Sequence, residues 1–182
     1  MIDEAPITRH ERLRRTILMC GICLRNIAYY SAGWDGKTPR FIGQVHTQTN
    51  NNFIDMAILE WCKLFGEPKH EPQHWQNIIE TIAKRKAFKG ALIEHVGGDR
   101  HDWSAHRTRC INYRNDFLAH LGSERTMQLP HPDMCRRSVY FYSTFVHEHE
   151  LTYGPIDHEP NAVYQRYLEE GLAFYGVAKQ SD

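Results

Sequence analysis

The sequence predicts an all-α fold, a single-domain bundle of about five to seven helices, and three observations lead there. Apolar residues recur at three- and four-residue spacing through most of the 182-residue chain. No segment sustains the two-residue alternation of a half-buried strand. Gly and Pro clusters punctuate the chain, with no internal repeat, low-complexity tract or linker between them, so residues 1–182 read as one domain.

The first helix is expected from Thr8 to about Tyr30. Thr8-Arg9-His10-Glu11 fits a capping box, and Leu13, Ile17, Cys20, Leu24 and Ile27 form its inner stripe. Arg9, Arg12, Arg14, Arg15 and Arg25 flank that stripe and read as a solvated face. Cys20-Gly-Ile-Cys23 has CxxC spacing but lies inside the helical pattern with no companion pair, so it reads as packing. Residues 31–40 form a Gly- and Pro-containing loop. A second helix begins at Phe41 or a little later and is clearest from Asn52 to Phe65, with Gly66 and Pro68 ending it. A third helix opens near Pro72, carries Trp75, Ile78, Ile79 and Ile82, and places Lys84, Arg85, Lys86 and Lys89 near its C-terminus. Gly90 to Gly98 then reads as a short apolar segment of one or two helical turns.

Trp103 to Gly122 is expected to be one amphipathic helix, starting near Asp99 or Asp102. Its stripe is Trp103, Cys110, Ile111, Phe117, Leu118 and Leu121, and Arg114 sits within it. A charge in an apolar stripe needs a partner or a function, because desolvating it alone costs roughly several kcal/mol. A further helix runs from Pro132 to about Glu150, and a last one from Asn161 to Ala178 with Val163, Tyr164, Tyr167, Leu168, Leu172 and Tyr175 inward.

Lys+Arg and Asp+Glu balance at 22 each, so no global field draws the chain to nucleic acid or an anionic membrane, and any such binding needs a local patch. No stretch approaches the roughly 18 apolar residues of a membrane span. Five cysteines and the absence of an apolar secretory segment point to free thiols and a cytoplasmic protein. The 12 histidines give no metal site by spacing. His70 and His74 are separated by Pro72, His147 and His149 point to different sides of a helix, and His95, His101 and His106 have no fixed ligand pattern. No metal and no cofactor is expected, with a histidine metal site kept as the lesser alternative.

Four pairs have the spacing R-x5-H: Arg40–His46, Arg100–His106, Arg114–His120 and Arg125–His131. The first spans Gly43, the second straddles a helix start, and the fourth is crossed by Pro130. Only Arg114–His120 lies wholly within an apolar-periodic helix, with Asn115 beside the arginine. Histidine can take or give a proton near neutral pH, and a guanidinium can hold two oxygens of a charged phosphorane. On a straight helix the i to i+6 spacing leaves the two side chains about 120° apart, so they are not neighbours in the way that i and i+4 are. Asp116, four residues before His120, is placed to hold that imidazole; Asn115 can bond a phosphate; Tyr113 lines the same region.

The segment Arg114-Asn-Asp-Phe-Leu-Ala-His120, near the end of a helix in a helical bundle, resembles the R-x4-6-H signature of the HEPN superfamily. The resemblance covers that segment and the all-helical pattern. It implies a metal-independent endoribonuclease with Arg114 and His120 catalytic, and Asn115, Asp116 and Tyr113 supporting. It implies RNA as partner, a homodimer through the Trp103–Gly122 helix, and a toxin-like or antiviral role with an antitoxin protein as counterpart. Some members end the motif in H-x-Y; here Leu121-Gly122 follows His120, so chemistry on that tyrosine is not expected. The alternatives are a non-catalytic module of this type that binds nucleotide, RNA or protein, and an unrelated bundle in which Arg114 pairs with Glu60 or Glu80.

Overall fold

The structure, a computed structural model, describes residues 7–119, 128–150 and 159–177. Among them are seven α-helices, one π-helical segment and no strand, which makes the protein an all-α single-domain bundle. No helix among the described residues is long and apolar enough to cross a membrane.

Helix α1 (Arg9–Ala32) starts at the expected capping box: the Glu11 amide donates to Thr8 Oγ1, and the Thr8 amide donates to the Glu11 carboxylate at 2.8 Å. Its buried side, including Leu13, Cys20, Cys23, Leu24 and Ile27, is the spine of the molecule. Helices α2 (Gln44–Phe65), α6 (Pro132–His149) and α7 (Pro160–Phe174) all pack on α1. α2 takes in the polar run Thr47 to Asn52, which continues the helix from Gly43. Cys20 and Cys23 are fully buried and serve packing, as their spacing within a helix implies.

The stretch after Pro72 departs from the expected single helix. Trp75–Ile78 is one short turn, α3; Ile79 is extended, and Thr81 caps a new helix, α4 (Ile82–Val96), by accepting from the Lys84 amide at 3.2 Å. Ile82 is therefore 81 % exposed instead of inward. Lys84, Arg85, Lys86 and Lys89 fall in the N-terminal half of α4, where the helix dipole disfavours them. Lys84 is compensated by Glu150 at 3.1 Å, and Arg85 donates to the Ile79 carbonyl at 2.6 Å. Residues 91–96 are the second half of α4, running through Gly90 without a break and ending at left-handed Gly97.

The centre of the core is a cluster of aromatic groups. Trp61 of α2 is fully buried and donates from Nε1 to Ser138 Oγ of α6 at 2.8 Å, so its one polar atom is satisfied. Phe65, Phe88 and Tyr142 complete this centre, and the Tyr142 hydroxyl reaches the Gln73 carbonyl at 3.0 Å. α7 covers α1 less deeply. Of its described residues only Gly171 is buried; the expected inward residues Val163, Tyr164, Tyr167, Leu168 and Leu172, with Tyr175 beyond, are half-buried.

Candidate functional site

The helix that carries the candidate motif begins as expected and then changes its winding. Helix α5 (Arg100–Tyr113) opens on an Asp99 capping box that also engages Asp102. Its buried side is Trp103, His106, Cys110 and Tyr113, at spacings of three and four. From Arg114 to Ala119 the chain is π-helical. The expectation of one continuous α-helix from Trp103 to Gly122 is corrected by this change: bonds in the π turn run i to i+5, so an α-helical wheel no longer says which side chains share a face beyond Tyr113. Phe117 and Leu118 both pack against the core, while Ile111 is only half-buried. His120, Leu121 and Gly122 lie outside the described residues.

Arg114 sits beside the buried stripe, with its side chain 21 % exposed. It does not reach Glu60 or Glu80. Glu60 is bonded to Lys63 at 3.0 Å, and Glu80 to Arg9 at 2.9 Å. Arg114 Nη2 instead stands 3.7 Å from Glu67, a largely exposed carboxylate, and its Nε donates to Asn115 Oδ1 at 3.0 Å. An ion pair of that length with an exposed partner is weak, on the order of 1 kcal/mol or less. Asn115 is thus committed to Arg114 and is itself exposed.

Tyr113 is 2 % exposed, and its hydroxyl donates to Asp55 Oδ1 of α2 at 2.6 Å. Burial first, then the Asp55 hydrogen bond and charge, push this phenol far above its usual range, so it stays protonated. Its role in this structure is to anchor the α-to-π junction to α2.

A cleft of about 570 Å3 runs along α5 and meets the buried stripe at Tyr113. Ser104, Thr108, Arg109 and Asn112 give it a polar floor. Tyr113, Asp116 and Phe117 bring it to the π-helical segment, and Gln128 also lines it. Arg109 supplies its cationic group, His101 an imidazole and Asp116 its carboxylate. Arg114 is not among its described lining residues. The structure therefore brings Tyr113 and Asp116 into one cleft, with Arg114 and Asn115 on the adjoining turn. Sequence reasoning missed the cleft's polar floor, although Ser104, Thr108 and Asn112 recur at four-residue spacing on the side opposite Trp103 and Cys110.

The other histidines are dispersed. His101 is exposed beside Asp99 and Asp102, His95 stacks on Tyr140 with centroids 5.8 Å apart, and His106 is buried with two cysteines. His149 stands on the last turn of α6 against Phe145. No family model, no curated protein and no solved structure matches this chain.

Proposed function

We propose that the protein is a metal-independent endoribonuclease of HEPN type, in which Arg114 steadies the charge of the reacting phosphate and His120 moves the proton. The observation that carries this reading is the π-helical turn that begins at Arg114, next to a polar cleft. Such turns are rare and recur at functional sites. Arg114 is partly exposed, and its only carboxylate partner among the described residues is the long pair to Glu67, so an RNA phosphate can replace that carboxylate with a bidentate contact while Nε stays on Asn115. Arg109 and the hydroxyl and amide groups of Ser104, Thr108 and Asn112 suit the backbone of the same strand. Asp116 stands on the cleft wall, four residues before His120 in the sequence.

Two protomers joined through the segment from Trp103 to Gly122 would place two Arg114–His120 pairs in one shared site. A toxin-like or antiviral role, with a partner protein that silences the site by covering the Arg114 rim, completes this reading. The attack is by the substrate's own 2′-hydroxyl, so the product carries a 2′,3′-cyclic phosphate. The test is incubation with single-stranded and hairpin RNAs without added divalent ions, reading product ends by mass spectrometry. Cyclic phosphate ends support the proposal; cleavage that leaves only 5′-phosphate ends contradicts it.

The second reading is a non-catalytic module of the same type that binds nucleotide, RNA or protein. The balanced charge of 22 against 22 and the commitment of Asn115 to Arg114 favour it. Tight RNA binding without turnover on any of these substrates selects it.

A further inference from the structure

His106 and Cys110 stand one turn apart on α5, and Cys135 occupies the first turn of α6. Their donor atoms converge. His106 Nε2 is 3.5 Å from Cys110 Sγ and 3.5 Å from Cys135 Sγ, and the two sulfurs are 4.0 Å apart. Zinc bonds of about 2.3 Å to sulfur and about 2.0–2.1 Å to nitrogen, at tetrahedral angles, require edges of about 3.8 Å between sulfurs and about 3.6 Å between sulfur and nitrogen. The observed triangle matches one face of that tetrahedron to within a few tenths of an ångström. Two thiols aimed at one imidazole nitrogen is also an uneconomical arrangement for hydrogen bonding, since that atom has a single lone pair.

We propose that His106 Nε2, Cys110 Sγ and Cys135 Sγ bind a structural zinc ion that clamps α5 to α6. This site lies on the buried side of α5, and the proposal does not rest on the ribonuclease reading. The spacing His-x3-Cys puts both α5 donors on one face, and the start of α6 favours a thiolate at Cys135 through the helix dipole. Soft thiolate donors with an imidazole select zinc over calcium or magnesium. Two thiolates against a divalent cation leave the set neutral, which suits a site whose three residues are 4 %, 0 % and 0 % exposed. Without a metal, burial raises both thiols well above neutral pH, so they remain protonated; a bound zinc ion removes those protons.

Trp61 and Trp103 flank the imidazole, with Trp61 edge-on at 5.2 Å, and keep the site dry. The fourth position is open: Cys62, a buried thiol bonded to the Cys110 carbonyl oxygen at 3.6 Å, is not among the converging donors and would have to turn from that bond to fill it, or a water fills it. Cobalt substitution distinguishes these, because a third thiolate strengthens the sulfur-to-cobalt charge-transfer band.

The test uses the whole chain, purified under reducing conditions without chelators. Metal analysis should find about one zinc per chain, and that content should fall at least roughly tenfold in Cys110→Ser and Cys135→Ser but not in Cys20→Ala. In wild-type protein stripped by a strong chelator and refilled with cobalt, the d–d bands of a tetrahedral thiolate site should appear, and the melting temperature should rise on adding zinc. This second arm decides the matter if a variant fails to fold. Folded wild-type protein that carries no zinc and gives no cobalt spectrum would overturn the proposal. So would zinc content unchanged in folded Cys110→Ser and Cys135→Ser, or a metal-free protein isolated with a Cys110–Cys135 disulfide.

Discussion

The Tyr113 hydroxyl donates a 2.6 Å hydrogen bond to Asp55, joining α2 to the last α-helical residue before the winding changes. The α-to-π junction is therefore held by a partly buried hydrogen bond to a carboxylate. Tyr113→Phe keeps the ring against Phe117 but strands the carboxylate. The variant should lose about 1.5–3 kcal/mol, seen as a fall of about 3–10 °C in thermal midpoint. An unchanged midpoint would mean that the junction is held by packing alone.

Glu150 is a buried carboxylate, its side chain 1 % exposed, that pairs with Arg9 of α1 and Lys84 of α4. Arg9→Ala leaves it with Lys84 only and should cost about 2–3 kcal/mol, below the ~3–5 kcal/mol of a fully abandoned buried charge. Arg9 also bonds Glu80, but that carboxylate is 56 % exposed, so Glu80→Gln should cost less than about 1 kcal/mol. Urea denaturation of the two variants measures the contrast.

His74 is one source of pH dependence. Its side chain accepts from the Gln76 amide through Nδ1, while Nε2 has no partner among the described residues. Burial, helped by the nearby Arg107 charge, lowers its pKa from 6.5 to about 4. The unfolded chain therefore takes the proton first. The stability contributed by neutral His74 is fully present above about pH 6.5 and is lost as the pH falls toward 4, at up to about 1.4 kcal/mol per pH unit. His74→Asn retains a capping oxygen and removes the titration. Urea midpoints at successive pH values through this window should fall less steeply for the variant than for wild type; parallel curves would contradict the assignment.

Two glycines in helices should respond oppositely to alanine. A Cβ at Gly171 would meet Ala32 Cβ at 2.7 Å where α7 crosses α1, and Gly171→Ala should cost about 1–3 kcal/mol. At Gly90 in α4 there is open space, and Gly90→Ala should gain about 0.5–1 kcal/mol. Chemical denaturation of each variant reads the sign directly.

The all-helical class and most helix ends were legible because local signals set them: the Thr8–Glu11 box, the stop at Gly66 and the start at Pro132 each depend on adjacent residues. The break between α3 and α4 was not, since Ile78, Ile79 and Ile82 hold helical spacing while Thr81 caps a new helix among them. The π turn was equally hidden. Arg114 and Phe117 satisfy an α-helical pattern, and the tie that fixes the junction comes from Asp55, 58 residues earlier. For the candidate site, the sequence singled out Arg114, Asn115 and Asp116 from their place in a helix, but it could not reveal that Glu67 is the acid beside Arg114. The His106–Cys110–Cys135 cluster was obscured because Cys110 fits the apolar stripe and Cys135 arrives from another helix. The four-residue spacing of His106 and Cys110 was its one local trace.

The central claim is that Arg114 and His120 together perform RNA cleavage. Its most direct measurement is the single-turnover cleavage rate of wild type, Arg114→Ala and His120→Ala on one RNA, with folding of each checked by circular dichroism. Wild type should give cyclic phosphate products, and each variant a rate lower by at least about 100-fold. A folded variant of either kind that cleaves at the wild-type rate would contradict it.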